Sequence, residues 1–218
     1  METTKSPRTK IPMKKTQCEI HDNFLEGVYN GTVLSIDPGQ NNLGWAVMEV
    51  PKNKNSYNSS RVLIDYGTIY GKGKNSALAA SIIDGVMEIW KTHKIDIFAI
   101  EDYLRIKGKN KGGFVIPGII YTLKYLWYKE SNKDTMTVYA STWKSSLGIP
   151  PSASKPEVKD GLREFLPAKK IVEIEEEFEN SGHRGQQDCI DAICIGMYVC
   201  KKIILNARLR PQGGNKIG

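Results

Sequence analysis

Hydrophobic positions in this chain follow two rhythms, and each change of rhythm marks an element. Val33 to Asp37 (VLSID) is a short β-rich run, and Pro38-Gly39-Gln40-Asn41-Asn42 supplies turn chemistry after it. Trp45 to Val50 reads as a second strand, Lys52 to Ser60 as a polar loop, and Arg61 to Tyr70 as a third strand rich in β-branched and aromatic residues. A helical period takes over from Ser76 to Lys94, where Leu78, Ile82, Val86, Ile89 and Trp90 form a stripe and Asn75 or Ser76 can cap it. Ile95 to Ile100 is a compact apolar run ending at Glu101, the pattern of a buried central strand. Ile116 to Lys129 is helical with Pro117 in its first turn. Thr137 to Ala140 is a last short strand. Trp143 to Leu147 and Lys155 to Leu166 read as helices, Glu173 to Glu179 as an acidic, exposed helical stretch, and Cys189 to Ile204 as a long apolar helix.

The order βββαβαβ followed by helices implies an α/β fold. Its sheet is mixed and five-stranded, three antiparallel strands and then βα units, with helices on both faces. Such a topology allows Asp37 and Glu101 to lie on adjacent central strands, with the Asp188/Asp191 helix packed across their ends. One domain is expected over residues 31–205, with a basic extension at 1–30 and a basic tail at 206–218.

Charge sharpens that division. The net charge is +7, yet residues 1–17 carry +4 and residues 201–218 carry +5, so the body is slightly acidic. Basic arms favour polyanions through counterion release. No apolar run approaches the ~20 residues of a membrane helix, so no membrane association is expected. The N-terminus has no secretory apolar region. Cys189, Cys194 and Cys200 fall near helical spacing without a CxxC pair, as suits reduced thiols in a cytoplasmic compartment. The basic N-terminus leaves organelle targeting open.

Four acids carry the chemistry: Asp37, Glu101, Asp188 and Asp191. The first two end apolar runs, and the last two stand three residues apart on an otherwise apolar helix, sharing one face. Carboxylates gathered from such distant points repel unless a cation sits among them. An all-oxygen donor set without a His/Cys group fits Mg²⁺ or Mn²⁺ better than Zn²⁺. Two such ions about 3.5–4 Å apart are the usual solution for phosphodiester cleavage.

The motifs SIDPGQNNLGWAV, FAIED and DCIDAICIG, in that order, resemble those of RuvC-family Holliday-junction resolvases in the ribonuclease H-like superfamily. The likeness continues through VYASTWKSSLGIPPSASKPEVKDGLREFL and covers roughly Val33 to Lys202. It implies that Asp37, Glu101, Asp188 and Asp191 are a metal-binding tetrad holding two Mg²⁺ per site. It also implies that Lys144 and Lys155 lie near the scissile phosphate. The expected activity is a structure-selective DNA endonuclease that resolves four-way junctions by paired symmetric nicks, acting as a homodimer. The helix from Ile116 to Trp127 is the dimer surface that the family suggests. The same fold could instead serve forks, flaps or RNA–DNA hybrids, or a non-catalytic nucleic-acid-binding subunit.

Family members can place an aromatic wedge three residues after the Glu; here Leu104 stands there, with Tyr103 beside it, so either residue could open a junction. The loop that follows concentrates Arg105, Lys107, Lys109 and Lys111 among glycines, as a DNA-backbone contact would. The stretch from Glu173 to Gln187 is longer and more acidic than the family pattern and ends in a loop carrying His183, a candidate auxiliary in proton transfer.

Overall fold

A computed structural model describes residues 31–39, 41–50, 62–102, 115–180 and 185–209. Strands β1 (Thr32–Pro38), β2 (Asn42–Glu49) and β3 (Leu63–Tyr70) form the antiparallel meander. Helix α1 (Ser76–Thr92) leads to β4 (Ile97–Glu101), α2 (Val115–Ser131) to β5 (Met136–Val138), and β4 pairs parallel with both β1 and β5. The strand order is β3-β2-β1-β4-β5. Helices α3 (Ala140–Ser146), α4 (Lys155–Leu162), α5 (Ala168–Asn180) and α6 (Gln186–Leu209) follow.

Side-chain alternation divides the interior into two cores. Leu34, Ile36, Leu43, Val47, Phe98 and Ile100 point towards α1 and α2, where Trp90, Phe98 and Trp127 pack with ring centroids 5.3–5.7 Å apart. Val33, Ala46, Met48, Ile97 and Ala99 point the other way, towards the helices after β5. Helix α6 dominates that side: Cys189, Ile190, Ile193, Cys194, Met197 and Val199 are all buried. This accounts for its nearly unbroken apolar sequence, since it lies under helices and over the sheet at once.

Several features differ from the sequence reading. Helix α5 is not a solvated acidic rod; Ile171, Ile174 and Phe178 are buried on one side of it and the acids face outward. Helix α6 continues to Leu209, past the expected domain edge at 205. On α2, the apolar residues Ile119, Ile120, Leu123 and Trp127 are spent inside the chain's own core. Its outward face presents Tyr121, Tyr125 and Tyr128, all more than half exposed. The extension at 1–30 and the tail beyond 209 lie outside the described residues. Among those described, no helix is long and apolar enough to cross a membrane.

Candidate metal centre

Strand alternation decides which side chains meet. Val33, Ser35 and Asp37 on β1, Asn42, Gly44, Ala46 and Met48 on β2, and Ile97, Ala99 and Glu101 on β4 share the sheet face covered by α6. Because β1 and β4 run parallel with Ile36 paired to Ile100, Asp37 and Glu101 come next, side by side, at the same sheet end.

Helix α6 is laid over that end by small residues. A Cβ on Gly44 would fall within the backbone of Asp188 and Cys189, so glycine alone permits this contact. One turn on, the Ser35 hydroxyl donates to the Ala192 carbonyl at 2.7 Å, although Ser35 is fully buried. A Cβ on Gly196 would then sit 2.7 Å from Ser35 Oγ and 2.8 Å from Met48 Sδ. These contacts hold the first turns of α6 against β1 and β2. Asp188 and Asp191 thereby overhang the strand ends that carry Asp37 and Glu101.

The electrostatics register the crowding. The Glu101 carboxyl is pushed up to about 7, first by burial and further by the charges of Asp191 and Asp188. The Trp143 indole and the Lys144 ammonium pull it back down. Glu101, Asp188, Asp191 and Lys144 therefore lie within reach of one another's fields. The Lys144 ammonium also donates to the Ala153 carbonyl at 3.3 Å. That carbonyl precedes α4, whose first residue is Lys155. The start of α4 is secured by Glu157, which accepts from both the amide and the hydroxyl of Ser154 at 2.6 Å. The side chain of Lys155 is outside the described set.

Among the described residues, no three His, Cys, Asp or Glu side chains are placed to hold a metal ion together as they stand. Instead, neutral donors engage three of the acids. Trp143 Nε1 donates to Glu101 Oε2 at 3.0 Å, Gln187 Nε2 to Asp191 Oδ1 at 2.7 Å, and Asn42 Nδ2 to Asp188 Oδ2. The donor chemistry fits a hard divalent cation: the four acids offer only oxygen, and a carboxyl poised near neutrality ionises readily once a cation offsets its neighbours. Sulfur ligation does not fit, because burial holds the Cys194 and Cys189 thiols far above their usual range. Asp37, Glu101, Asp188 and Asp191 are the residues that would hold the ion.

Tyr103, Leu104, Arg105, Lys107, Lys109, Lys111 and His183 lie outside the described residues. Their flanks are anchored: the Asp102 amide donates to the Val138 carbonyl at 2.8 Å, and the Thr68 hydroxyl to the Gly185 carbonyl at 3.1 Å. The sequence reading overlooked Asn42, Trp143 and Gln187. Each stands next to, or within, a motif quoted for its charged residues, and a polar side chain so placed is the signal that could have found it.

This fold is a mixed five-stranded α/β domain with Asp37 and Glu101 side by side at one end of its central parallel strands. No family model matches the chain. It is similar to the crossover junction endodeoxyribonuclease RuvC of Campylobacter jejuni subsp. jejuni (serotype O:23/36, strain 81-176). The two are 42% identical over 76 residues, which is 34% of this chain and 42% of that protein. The chain thus matches less than half the length of its curated relatives. Among solved structures, Thermus thermophilus RuvC in complex with a Holliday junction substrate aligns with a TM-score of 0.52 at 15% identity, covering 77% of this chain and 91% of that one. The yeast mitochondrial Holliday junction resolvase Ydc2 aligns with a TM-score of 0.58 at 14% identity, covering 90% of each chain. The fold is that of the RuvC-like resolvases.

Proposed function

We propose that this protein is a Mg²⁺-dependent, structure-selective endodeoxyribonuclease that resolves four-way DNA junctions by paired, symmetric nicks. The observation that carries this reading is the gathering of Asp188 and Asp191 on α6 over the strand ends of Asp37 and Glu101. Two divalent cations bound there would activate the attacking water and stabilise the leaving 3′ oxygen. Asp37 is the most central ligand, on the strand between β2 and β4. Lys144, already close enough to Glu101 to bias its titration, offsets charge developing on the phosphate oxygens, and the same role is assigned to Lys155, the first residue of α4. The buried Trp143 forms one wall of the site against Glu101.

Nicks of like polarity in two strands call for two sites related by a two-fold axis, hence a homodimer. The outward tyrosines of α2 are the face offered for it. Tyr103 or Leu104 opens the junction, Arg105, Lys107, Lys109 and Lys111 contact its backbone, and His183 assists proton transfer. The buried thiols of Cys189, Cys194 and Cys200 suit a reducing, cytoplasmic compartment.

The deciding experiment is incubation of the full chain with a synthetic mobile four-way junction and Mg²⁺, mapping nicks in all four strands. Paired nicks at symmetric positions with ligatable 5′-phosphate ends are expected. Faster cutting of forks, flaps or RNA–DNA hybrids would reassign the substrate. A lack of cleavage of any of these with Mg²⁺ or Mn²⁺ would leave a non-catalytic binding subunit.

A further inference from the structure

We infer that Asn42 is a positioning residue of the metal centre, orienting the Asp188 carboxylate for ligation; this rests on the metal-site reading above. Asn42 opens β2, and 146 residues of sequence separate it from the carboxylate it touches. An ionised carboxylate only accepts hydrogen bonds, so the contact fixes the amide orientation as well: Nδ2 donates to Asp188 Oδ2. The pair is built into its surroundings. A Cβ on Gly39, in the turn between β1 and β2, would sit 2.7 Å from the Asn42 carbonyl and 2.8 Å from Asp188 Oδ2. Gly44, two residues beyond Asn42, admits the α6 backbone at Asp188 itself.

One hairpin therefore does two things. Its first limb carries Asp37, one residue from its end, and its second limb carries the amide that aims Asp188, with Asp37 and Gly44 paired across it. A neutral amide suits this place. A lysine would compete with the cation for the carboxylate, and a second carboxylate would add to the repulsion already felt at Glu101. Outer-shell partners of this kind typically change metal affinity or activity by about 10–100-fold when removed.

A purely structural role for Asn42 is the rival account, because Asp188 also lies in the first turn of α6, where a carboxylate is favoured by the helix dipole. The two roles separate in a metal titration. The full chain and the variants Asn42→Leu, of similar size without a donor, and Asn42→Ser, whose hydroxyl is too short to reach, are melted across a Mn²⁺ series. Cleavage of a four-way junction across a Mg²⁺ series is followed in parallel, with junction binding in EDTA as the control. Positioning predicts that both variants need roughly 10-fold more metal for half-maximal stabilisation and for half-maximal cleavage, with junction affinity unchanged. Asn42→Ser carries the test if Asn42→Leu does not fold. Metal titrations that superimpose on those of the unaltered protein, whatever the melting temperature without metal, would overturn the assignment of Asn42 alone. An unaltered protein with no response to Mn²⁺ or Mg²⁺ would overturn the metal-site reading and this one together.

Discussion

The indole Nε1 of Trp143 donates to Glu101 Oε2 at 3.0 Å from a side chain that is almost wholly buried. This bond ties α3 to the end of β4 and opposes the burial that drives the Glu101 carboxyl upward. Trp143→Phe keeps an aromatic ring in the core and removes the donor. It should destabilise the fold by about 1–3 kcal/mol, the usual cost of losing a hydrogen bond to a charged group. Its cleavage should also show a pH profile whose acid limb moves to higher pH, because the carboxylate loses a partner that favours ionisation. An unmoved acid limb would contradict the coupling.

Glu101 further predicts how stability depends on pH and metal. Its carboxyl is pushed up to about 7 in the folded chain, well above the ordinary glutamate range, so the folded state holds the extra proton between the two. Without added metal, stability should fall as pH rises through that window, by roughly 3 kcal/mol at most, and level off above it. Divalent cation takes the place of that proton, so stabilisation by Mn²⁺ should grow over the same window. Glu157 and Glu175 are shifted the other way by Ser154 and by Lys159, and their contribution is lost only at lower pH. Thermal melts in EDTA and in Mn²⁺ from about pH 5 to about pH 8 would test both slopes, and a flat EDTA profile would count against them.

Gly44→Ala should be the most damaging small substitution in the hairpin. The added methyl would meet the backbone of Asp188 and Cys189, which no rotamer change can relieve. Overpacking of this kind costs about 1–3 kcal/mol or more, a fall in melting temperature of several degrees for a domain of this size. Gly118→Ala on α2 is the control, since nothing lies near its Cβ and helix propensity favours alanine. Differential scanning calorimetry of the two variants should move in opposite directions.

Asp37→Asn and Asp188→Asn should each abolish cleavage while leaving junction binding in EDTA within a few-fold of the parent chain. Both remove ligand charge, and neither changes side-chain size. Gel-shift and nicking assays on one labelled junction would read both properties. Retained cleavage in either variant would remove that residue from the metal set.

Much of this arrangement was legible in one dimension, because its causes are local. Asp37 and Glu101 stand where apolar strands run out, and Asp188 and Asp191 interrupt an apolar helix at the spacing of one face. The pairings that orient these acids were not legible, since they depend on register. Asn42 meets Asp188 only because Gly44 lets α6 descend onto β2, and Trp143 reaches Glu101 only because β5 delivers α3 beside β4. The dense acids of α5 obscured the regular spacing of Ile171, Ile174 and Phe178, which assigns that helix an inner face. The outward tyrosines of α2 could be separated from its inward residues only once the core was seen to use Ile119, Leu123 and Trp127.

The placement of Asp188 and Asp191 on α6, after every strand has been made, has a consequence for synthesis. A ribosome releases β1 and β4 first, and a chain halted there would expose Asp37 and Glu101 with no partners across from them. Ser35, Gly44 and Met48 form a seat on β1 and β2 that nothing fills until α6 brings Gly196 and Asp188 to it. A half-made chain therefore carries only half of the acid set, and the centre is completed only when the last helix closes over the sheet.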